Sequence, residues 1–324
     1  MKASLRLAIG IAVSLACLVL AFRNVSIAEL LKLGGSVPLQ LVALYLGVTS
    51  VSLFLRGARW QILLTGAEPT SFVAVLAVNC AGQMGNAVLP ARMGDLFRAT
   101  NLNRSGISSG FSLATILVER ILDAGFLVMT ASIAVHQAKL IPPALLRAST
   151  IAGGAAVVGL VLALSLPLLE DPLRRVIQRV LPSRWQDRAK GLVEQFVTGL
   201  RSMHRAKIVL LFLVLTIAIW SMDGLGIWIL ARAASFSLSS PVIILLLTAL
   251  ALSSAIPAAP GNAGVYQIVA VTVLAPFGIG SAPALVFAVT WQALTIVNVL
   301  IWGLCGLWYL ASRKLLVGFR KVSS

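Results

Sequence analysis

Gly85-Asn86-Ala87-Val88-Leu89-Pro90-Ala91-Arg92-Met93-Gly94-Asp95-Leu96-Phe97-Arg98 and Ile256-Pro257-Ala258-Ala259-Pro260-Gly261-Asn262-Ala263-Gly264-Val265-Tyr266-Gln267 are the two places where an oily chain turns polar and breaks. The apolar segments around each are too short or too interrupted to be ordinary spanning helices. In lipid, backbone leaves helical geometry only where protein or a water-filled cavity satisfies its N–H and C=O groups. Paired breaks at corresponding places in two halves point to a transport site near the membrane midplane. The expected fold is therefore all-α: a polytopic transmembrane bundle of about six full spans plus two broken, re-entrant hairpins, arranged as an inverted repeat.

Composition supports this. Of 324 residues, 59% are hydrophobic and 11% charged, against about 25% charged in a soluble domain. The apolar segments leave no room for a soluble enzyme domain. Leu5–Phe22 follows Lys2 and Arg6 as a signal peptide would, but is succeeded by Arg23-Asn24-Val25 and not by a small-x-small cleavage site. It reads as a retained first span or uncleaved anchor. Cys17, Cys80 and Cys305 all sit in apolar segments without metal spacing, and His136 and His204 fall near loop ends. No metal site, cofactor or catalytic triad is expected. The net charge of +16 reports orientation in such a chain and not nucleic-acid binding, because the basic residues are spread over several loops.

Spans need about 20 apolar residues. They are expected at Leu5–Phe22, Pro38–Leu55, Ile107–Val135, Thr150–Leu169, Ile208–Leu230 and Pro283–Leu310, with broken elements at 71–104 and 241–279. The halves are then 1–148 and 149–324, the second beginning with a basic cytoplasmic segment at 170–207. If both broken elements return to the side they came from, 17 of the 26 basic residues fall on one side. These are Lys2 and Arg6, Arg56 and Arg59, nine between Arg174 and Lys207, and Arg313, Lys314, Arg320 and Lys321. Arg23, Lys32, Lys139, Arg147 and Arg232 face the other side. The positive-inside rule places both termini in the cytoplasm, and the expected location is the inner membrane. Half-helices long enough to span would raise the count to eight or nine. Trp185, Leu192, Val193, Phe196, Val197, Leu200 and Met203 form one helical stripe among basic residues. It reads equally as an amphipathic helix on the anionic leaflet or as a cytoplasmic hairpin packed on the protein.

Ionisable groups inside a membrane each cost about 2.5–3.5 kcal/mol on insertion scales, so they need a reason. Six fall between Arg92 and Asp123: Arg92, Asp95, Arg98, Glu119, Arg120 and Asp123. Asp223, beside Gly224 and Gly226, is a seventh without an adjacent partner. One reading is an internal salt-bridge network pinning the hairpin to the next helix. The other is a polar cavity in which arginines take a phosphate head group, since their planar fork gives two parallel hydrogen bonds to phosphate oxygens. On that reading Arg92 and Arg98 contact the head group, and Glu119 and Asp123 hold the arginines in place. Pro90 and Pro257 end helices. Pro260-Gly261 is a turn, and Gly261 and Gly264 permit close approach or positive φ. A half-helix starting after Gly264 would aim its positive end at an anion. No P-loop, nucleophile elbow or zinc motif is present in the sequence, so no catalytic residue is assigned.

Asn86-x3-Pro90-x-Arg92-x-Gly94-Asp95-x2-Arg98, Glu119-Arg120-x2-Asp123 and Pro257-x2-Pro260-Gly261-x2-Gly264 resemble, in order and over nearly the whole chain, the lysylphosphatidylglycerol synthase transmembrane-region family. The resemblance implies a flippase-like integral membrane protein. Large members of that family carry a cytosolic aminoacyl-transferase domain that this sequence lacks, so lipid aminoacylation is not implied. Other short members are associated with hopanoid, glycolipid or polyprenyl-linked lipid pathways. One departure is Gln267, where the family often has an acidic residue. It leaves no carboxylate there for proton coupling.

The leading expectation is a translocase of an anionic or lipid-linked head group, with Asn86, Arg92, Asp95, Arg98, Glu119, Arg120, Asp123, Asp223, Pro260, Gly261, Gly264 and Gln267 around the substrate. The alternatives are an intramembrane lipid-modifying enzyme with Glu119 or Asp123 as base, and a non-catalytic scaffold for lipid-synthesis enzymes. Membrane lipids, further copies of the chain and lipid-synthesis enzymes are the expected partners, and nucleic acid is not. Small residues at Gly153, Gly154, Gly159, Gly303 and Gly306 permit close helix packing.

Overall fold

The computed structural model describes residues 38–64, 70–89, 92–102, 106–137, 143–165, 206–234, 236–254, 260–313 and 315, with residues 175, 186, 191, 194 and 197 singly. The expected span at Leu5–Phe22, Pro90, Pro257 and most of the basic segment at 170–207 lie outside the described residues. Among the described residues there are helices and turns but no strand, an all-α membrane bundle as the apolar pattern dictates.

Five long helices carry the frame: α1 (Leu39–Leu63), α4 (Ser109–Gln137), α5 (Pro143–Ser165), α6 (Ala206–Ala233) and α9 (Ser281–Ser312). Four shorter ones form two hairpins: α2 (Phe72–Val88) with α3 (Met93–Asn101), and α7 (Ser240–Ser253) with α8 (Val265–Leu274). At 1.5 Å per residue, α3, α7 and α8 fall short of the roughly 30 Å hydrocarbon core. Both broken elements therefore exist close to their expected bounds. Among the described residues three helices, α1, α6 and α9, are long and apolar enough to cross a membrane. α4 has 29 residues, ample length, but carries Glu119, Arg120 and Asp123 in its middle.

One expectation is corrected. The span ending at Leu55 runs on to Leu63, so Arg56 and Arg59 are not loop residues anchoring orientation. They lie inside α1, and the basic tally for that side loses both. The apolar run resumes immediately after them (Trp60, Ile62, Leu63, Leu64), and burying Trp60 and Leu63 completely holds the helix through the two charges.

Side-chain registers fix the directions. α1 runs antiparallel to α6: Gly226 backs onto Tyr45 and Thr49, while the other end pairs Arg59 with Thr216. α1 runs parallel to α9, joined by Tyr45 to Thr295 at 2.7 Å, Ser50 to Asn298 at 2.8 Å and Trp302 to Ser50 at 2.8 Å. α2 is antiparallel to α9, where Gly306 faces the Ala77 carbonyl and Gly303 faces Met84. α7 packs on α4, with the Thr248 hydroxyl donating to the Leu127 carbonyl. Each hairpin thus leans its first arm on a long helix from the other part of the chain. Gly153 packs on Ser132 between α5 and α4, whereas Gly154 and Gly159 face open space.

Two apolar clusters seat the hairpins. Trp60, Val75, Val78, Ala99, Leu102, Phe111 and Ile116 enclose α2 and α3. Tyr45, Ile227, Leu246, Leu250, Ala270, Leu274 and Phe287 enclose α7 and α8. On the outside, Leu210, Ile151 and Trp308 are 64%, 73% and 74% exposed, as expected where the solvent is acyl chain and not water.

Candidate functional site

The first hairpin closes unusually tightly. A Cβ on Gly94 would lie 1.8 Å from the Gly82 carbonyl oxygen and 2.5 Å from the Asn86 nitrogen, so backbone meets backbone there. Asn86 and Asp95 bind reciprocally across the turn: Asn86 Nδ2 donates to Asp95 Oδ1 at 2.9 Å, and the Asp95 N–H donates to Asn86 Oδ1 at 3.0 Å. Arg92, just before α3, is forced into the left-handed region at φ 53°. Its guanidinium reaches the other hairpin and donates to the Ser254 hydroxyl.

The second turn is held from below. Gly261, Asn262 and Gly264 all have positive φ, a run that only Gly and Asn adopt readily. The Gly264 N–H donates to Gln267 Oε1 at 2.7 Å, capping α8. Gln267 in turn donates to Gln292 Oε1, and Gln292 donates to the Gly261 carbonyl at 2.6 Å. Gln267 is buried and fully engaged in shaping the turn that Pro260 opens. Gly261 lies against the Ala87 carbonyl and the Ile296 side chain, so both turns meet near the middle of the 32-residue α9.

Beneath the turns lies the charged cluster, and its hub is Arg59, which the spacing of the sequence had assigned to a loop. Arg59 is 0% exposed. It grips Asp123 with two bonds (2.6 and 2.7 Å), Glu119 with a third (2.9 Å) and the Thr216 hydroxyl with a fourth. Arg98, also 0% exposed, donates to the other Glu119 oxygen at 2.9 Å and stacks 4.2 Å from the Trp60 ring. Arg120 donates to both Asp95 oxygens at 3.2 and 3.3 Å. Trp220 donates to Asp123. Asp223, which had no partner by sequence proximity, pairs with Arg56, whose guanidinium also sits 4.9 Å over Trp220.

The structure thus brings Asn86, Arg92, Asp95, Arg98, Glu119, Arg120 and Asp123 together, with Gly261 and Gly264 in the turn above. Asp223 is one ion pair to the side. It separates the two arginines expected to share a head group: Arg98 is sealed inside, while Arg92 lies at the junction of the hairpins. Two signals could have found Arg56 and Arg59. One is the apolar run resuming after them. The other is the unpartnered Asp223.

Charge and hydrogen-bond balance follow from the geometry. Five guanidinium groups (Arg56, Arg59, Arg92, Arg98, Arg120) face four carboxylates (Asp95, Glu119, Asp123, Asp223). Among the described residues no carboxylate lies within ion-pair reach of Arg92. The Nε–H groups of Arg59, Arg98 and Arg120 are buried without an acceptor there. The cluster is donor-rich and carries one surplus positive charge.

The Arg56–Asp223 pair is only partly buried, at 16% and 21% side-chain exposure. Asp223→Asn is therefore expected to cost less than the roughly 3–5 kcal/mol of breaking a fully buried pair, read as a small shift in detergent melting temperature. A large shift would mean that the pair is as desolvated as Arg59.

Helices long and apolar enough to span a membrane, two hairpins meeting against the middle of α9 and a buried ion-pair network define a multi-pass integral membrane protein. The chain belongs to the family described as the lysylphosphatidylglycerol synthase TM region, whose model matches residues 7–303. That membership ties it to the synthesis or transport of membrane lipid. No curated protein and no solved structure matches the chain.

Proposed function

We propose that the protein is a lipid translocase of the inner membrane, with cytoplasmic termini, passing an anionic head group across the bilayer where the two hairpins meet. The observation that carries this reading is Arg92: a guanidinium at the junction of the hairpins, bridging them through Ser254, with no carboxylate partner among the described residues. Arg120, 34% exposed at its side chain, pairs with Asp95, three residues beyond Arg92. A phosphate seated between them would neutralise the surplus charge and take bidentate hydrogen bonds. Asp95, itself bonded to Asn86, holds Arg120, and the Arg59–Glu119–Arg98 network fixes the floor.

The long helices and hairpins support an inverted repeat. Exchanging α1 with α6, α2 with α7, α3 with α8 and α4 with α9 turns the α2–α9 contact into the α7–α4 contact and α3–α4 into α8–α9. Because α1 and α6 run antiparallel, the two units have opposite sense, the architecture in which secondary transporters rock about a midplane site. The enzyme alternative would need Glu119 or Asp123 as a base, and Arg59 holds both as ion-paired carboxylates, which favours transport over chemistry.

The test uses purified protein in liposomes, with acyl-labelled lipids and a membrane-impermeant quencher, with and without an imposed ion gradient. Arg92→Gln is expected to slow anionic-lipid transfer about tenfold or more, since a hydrogen bond to a charged group contributes roughly 1.5–3 kcal/mol. Melting temperature should stay unchanged. Transfer at the wild-type rate in Arg92→Gln would overturn the reading.

A further inference from the structure

We infer that Gln292 is a positioning residue of the transport path, the second half's counterpart of Arg120, and that α8, the arm it holds, is the arm that moves. The inference rests on the translocase reading above and deepens it. Asp95 is the third residue of α3, and Gln267 is the third of α8. Arg120 is the twelfth residue of α4, and Gln292 is the twelfth of α9. Each pair is hydrogen-bonded, and in each the partners stand 25 residues apart. The acceptor oxygen at the third position of each arm also takes a bond from its own hairpin: Asp95 Oδ1 from Asn86 Nδ2, and Gln267 Oε1 from the Gly264 N–H. The residue before each arm has positive φ, Arg92 at 53° and Gly264 at 85°. Position, partner and backbone all agree, which makes Gln292 the equivalent of Arg120.

What differs between the two units is charge. Ion pairs fasten α3 to α4, Asp95 with Arg120 and Arg98 with Glu119. Helices α7, α8 and α9 contain no charged residue. The polar hold of α9 on α8 is the Gln267–Gln292 bond, beside the edge-on contact of Tyr266 with Trp291 at 5.3 Å. Charge-assisted hydrogen bonds are roughly twice as strong as neutral ones. Further along, α8 packs through Ala270 and Leu274, and apolar contact is non-directional and tolerates sliding. The end of α7 is tied to Arg92 through Ser254. So α3 is a fixed wall, α7 is bound to it, and α8 is the arm free to leave. Gln292 governs that step because it holds both ends of the turn. It accepts from Gln267 and donates to the Gly261 carbonyl at 2.6 Å, and Gly261 is the residue that lies against Ala87 of the first hairpin.

The first arm of the test needs neither lipid nor a variant. Hydrogen exchange of the purified wild-type protein in detergent, read by mass spectrometry, should show the amides of α8 exchanging at least about tenfold faster than those of α3. Equal protection, or faster exchange in α3, overturns the inference. Gln267→Glu and Gln292→Arg test the equivalence. Both residues are buried, so each change alone leaves an unpaired charge there and should lower the melting temperature. Together they rebuild the Asp95–Arg120 pair in the second half, and the double variant should melt above either single one. Simple addition of the two losses overturns the equivalence, because amides with a merely structural role gain nothing from opposite charges. In liposomes the double variant should transfer lipid at least about fivefold more slowly than wild type, since the stronger bond holds the arm shut. Its α8 amides should then be as protected as those of α3. Wild-type transfer with a protected α8 would overturn the assignment of the moving arm. Failure of every version to move lipid sinks the translocase reading, and the exchange and melting results alone then sustain or overturn the inference.

Discussion

Arg59→Met is expected to destabilise the protein by about 3–5 kcal/mol, the usual cost of stripping one partner from a buried ion pair. Arg59 is wholly enclosed, and its removal leaves Asp123 with only the Trp220 N–H and takes one of two arginines from Glu119. Both carboxylates are buried, Glu119 at 5% and Asp123 at 6% exposure. Arg59→Lys should recover part of the loss, because an ammonium cannot hold two Asp123 oxygens and Glu119 at once. The double variant Arg59→Met with Asp123→Leu should be more stable than Arg59→Met alone, since it removes the orphaned charge as well. Detergent melting curves across this set decide it. Equal stability of Arg59→Met and wild type would mean that the cluster is hydrated.

Gly94→Ala is expected to be comparably severe, for a reason that is purely steric. One methyl group would sit 1.8 Å from the Gly82 carbonyl and inside van der Waals range of Asn86. Both obstacles are backbone or backbone-bound, so no rotamer change relieves them. The arms must separate, which breaks the Asn86–Asp95 pair and shifts Arg92 away from Ser254. Overpacking of rigid interiors costs about 1–3 kcal/mol and occasionally more, and this site belongs at the upper end. A disulfide-trapping experiment between cysteines on α2 and α3 should show reduced cross-linking in Gly94→Ala. Unchanged cross-linking and melting would overturn the packing argument. By contrast Gly154→Ala, facing open space, should be silent.

Much of this architecture was legible before any coordinates. The two breaks fell where the hairpins lie because Pro and Gly clusters interrupt apolar runs for a local, backbone reason. The charged residues of α4 announced a network because charge in lipid demands partners. Arg59 was hidden by the opposite logic. A pair of arginines after some 18 apolar residues looks like a helix end, and only tertiary pairing with residues 60 and more positions away reveals it as a core residue. Gln267 was legible as a departure in type but not in role. That it caps α8 and hands a bond to Gln292 depends on the fold of α9 over the turn. The division between sealed Arg98 and Arg92 is likewise tertiary: six residues apart on one strip of sequence, one stacks on Trp60 and the other bonds Ser254 of the second hairpin.

The lean of α2 on α9 also bears on how the chain is made. The groove that receives Ala77 is cut by Gly303 and Gly306, more than two hundred residues further along. At a synthesis rate of about 5–20 residues per second, the first hairpin waits roughly 10–45 seconds before its partner leaves the ribosome. During that interval Arg59, Arg98 and Glu119 can pair among themselves, but one flank of α2 is left facing lipid or the insertion machinery. Until α9 is made, that flank of α2 has no helix to lean on.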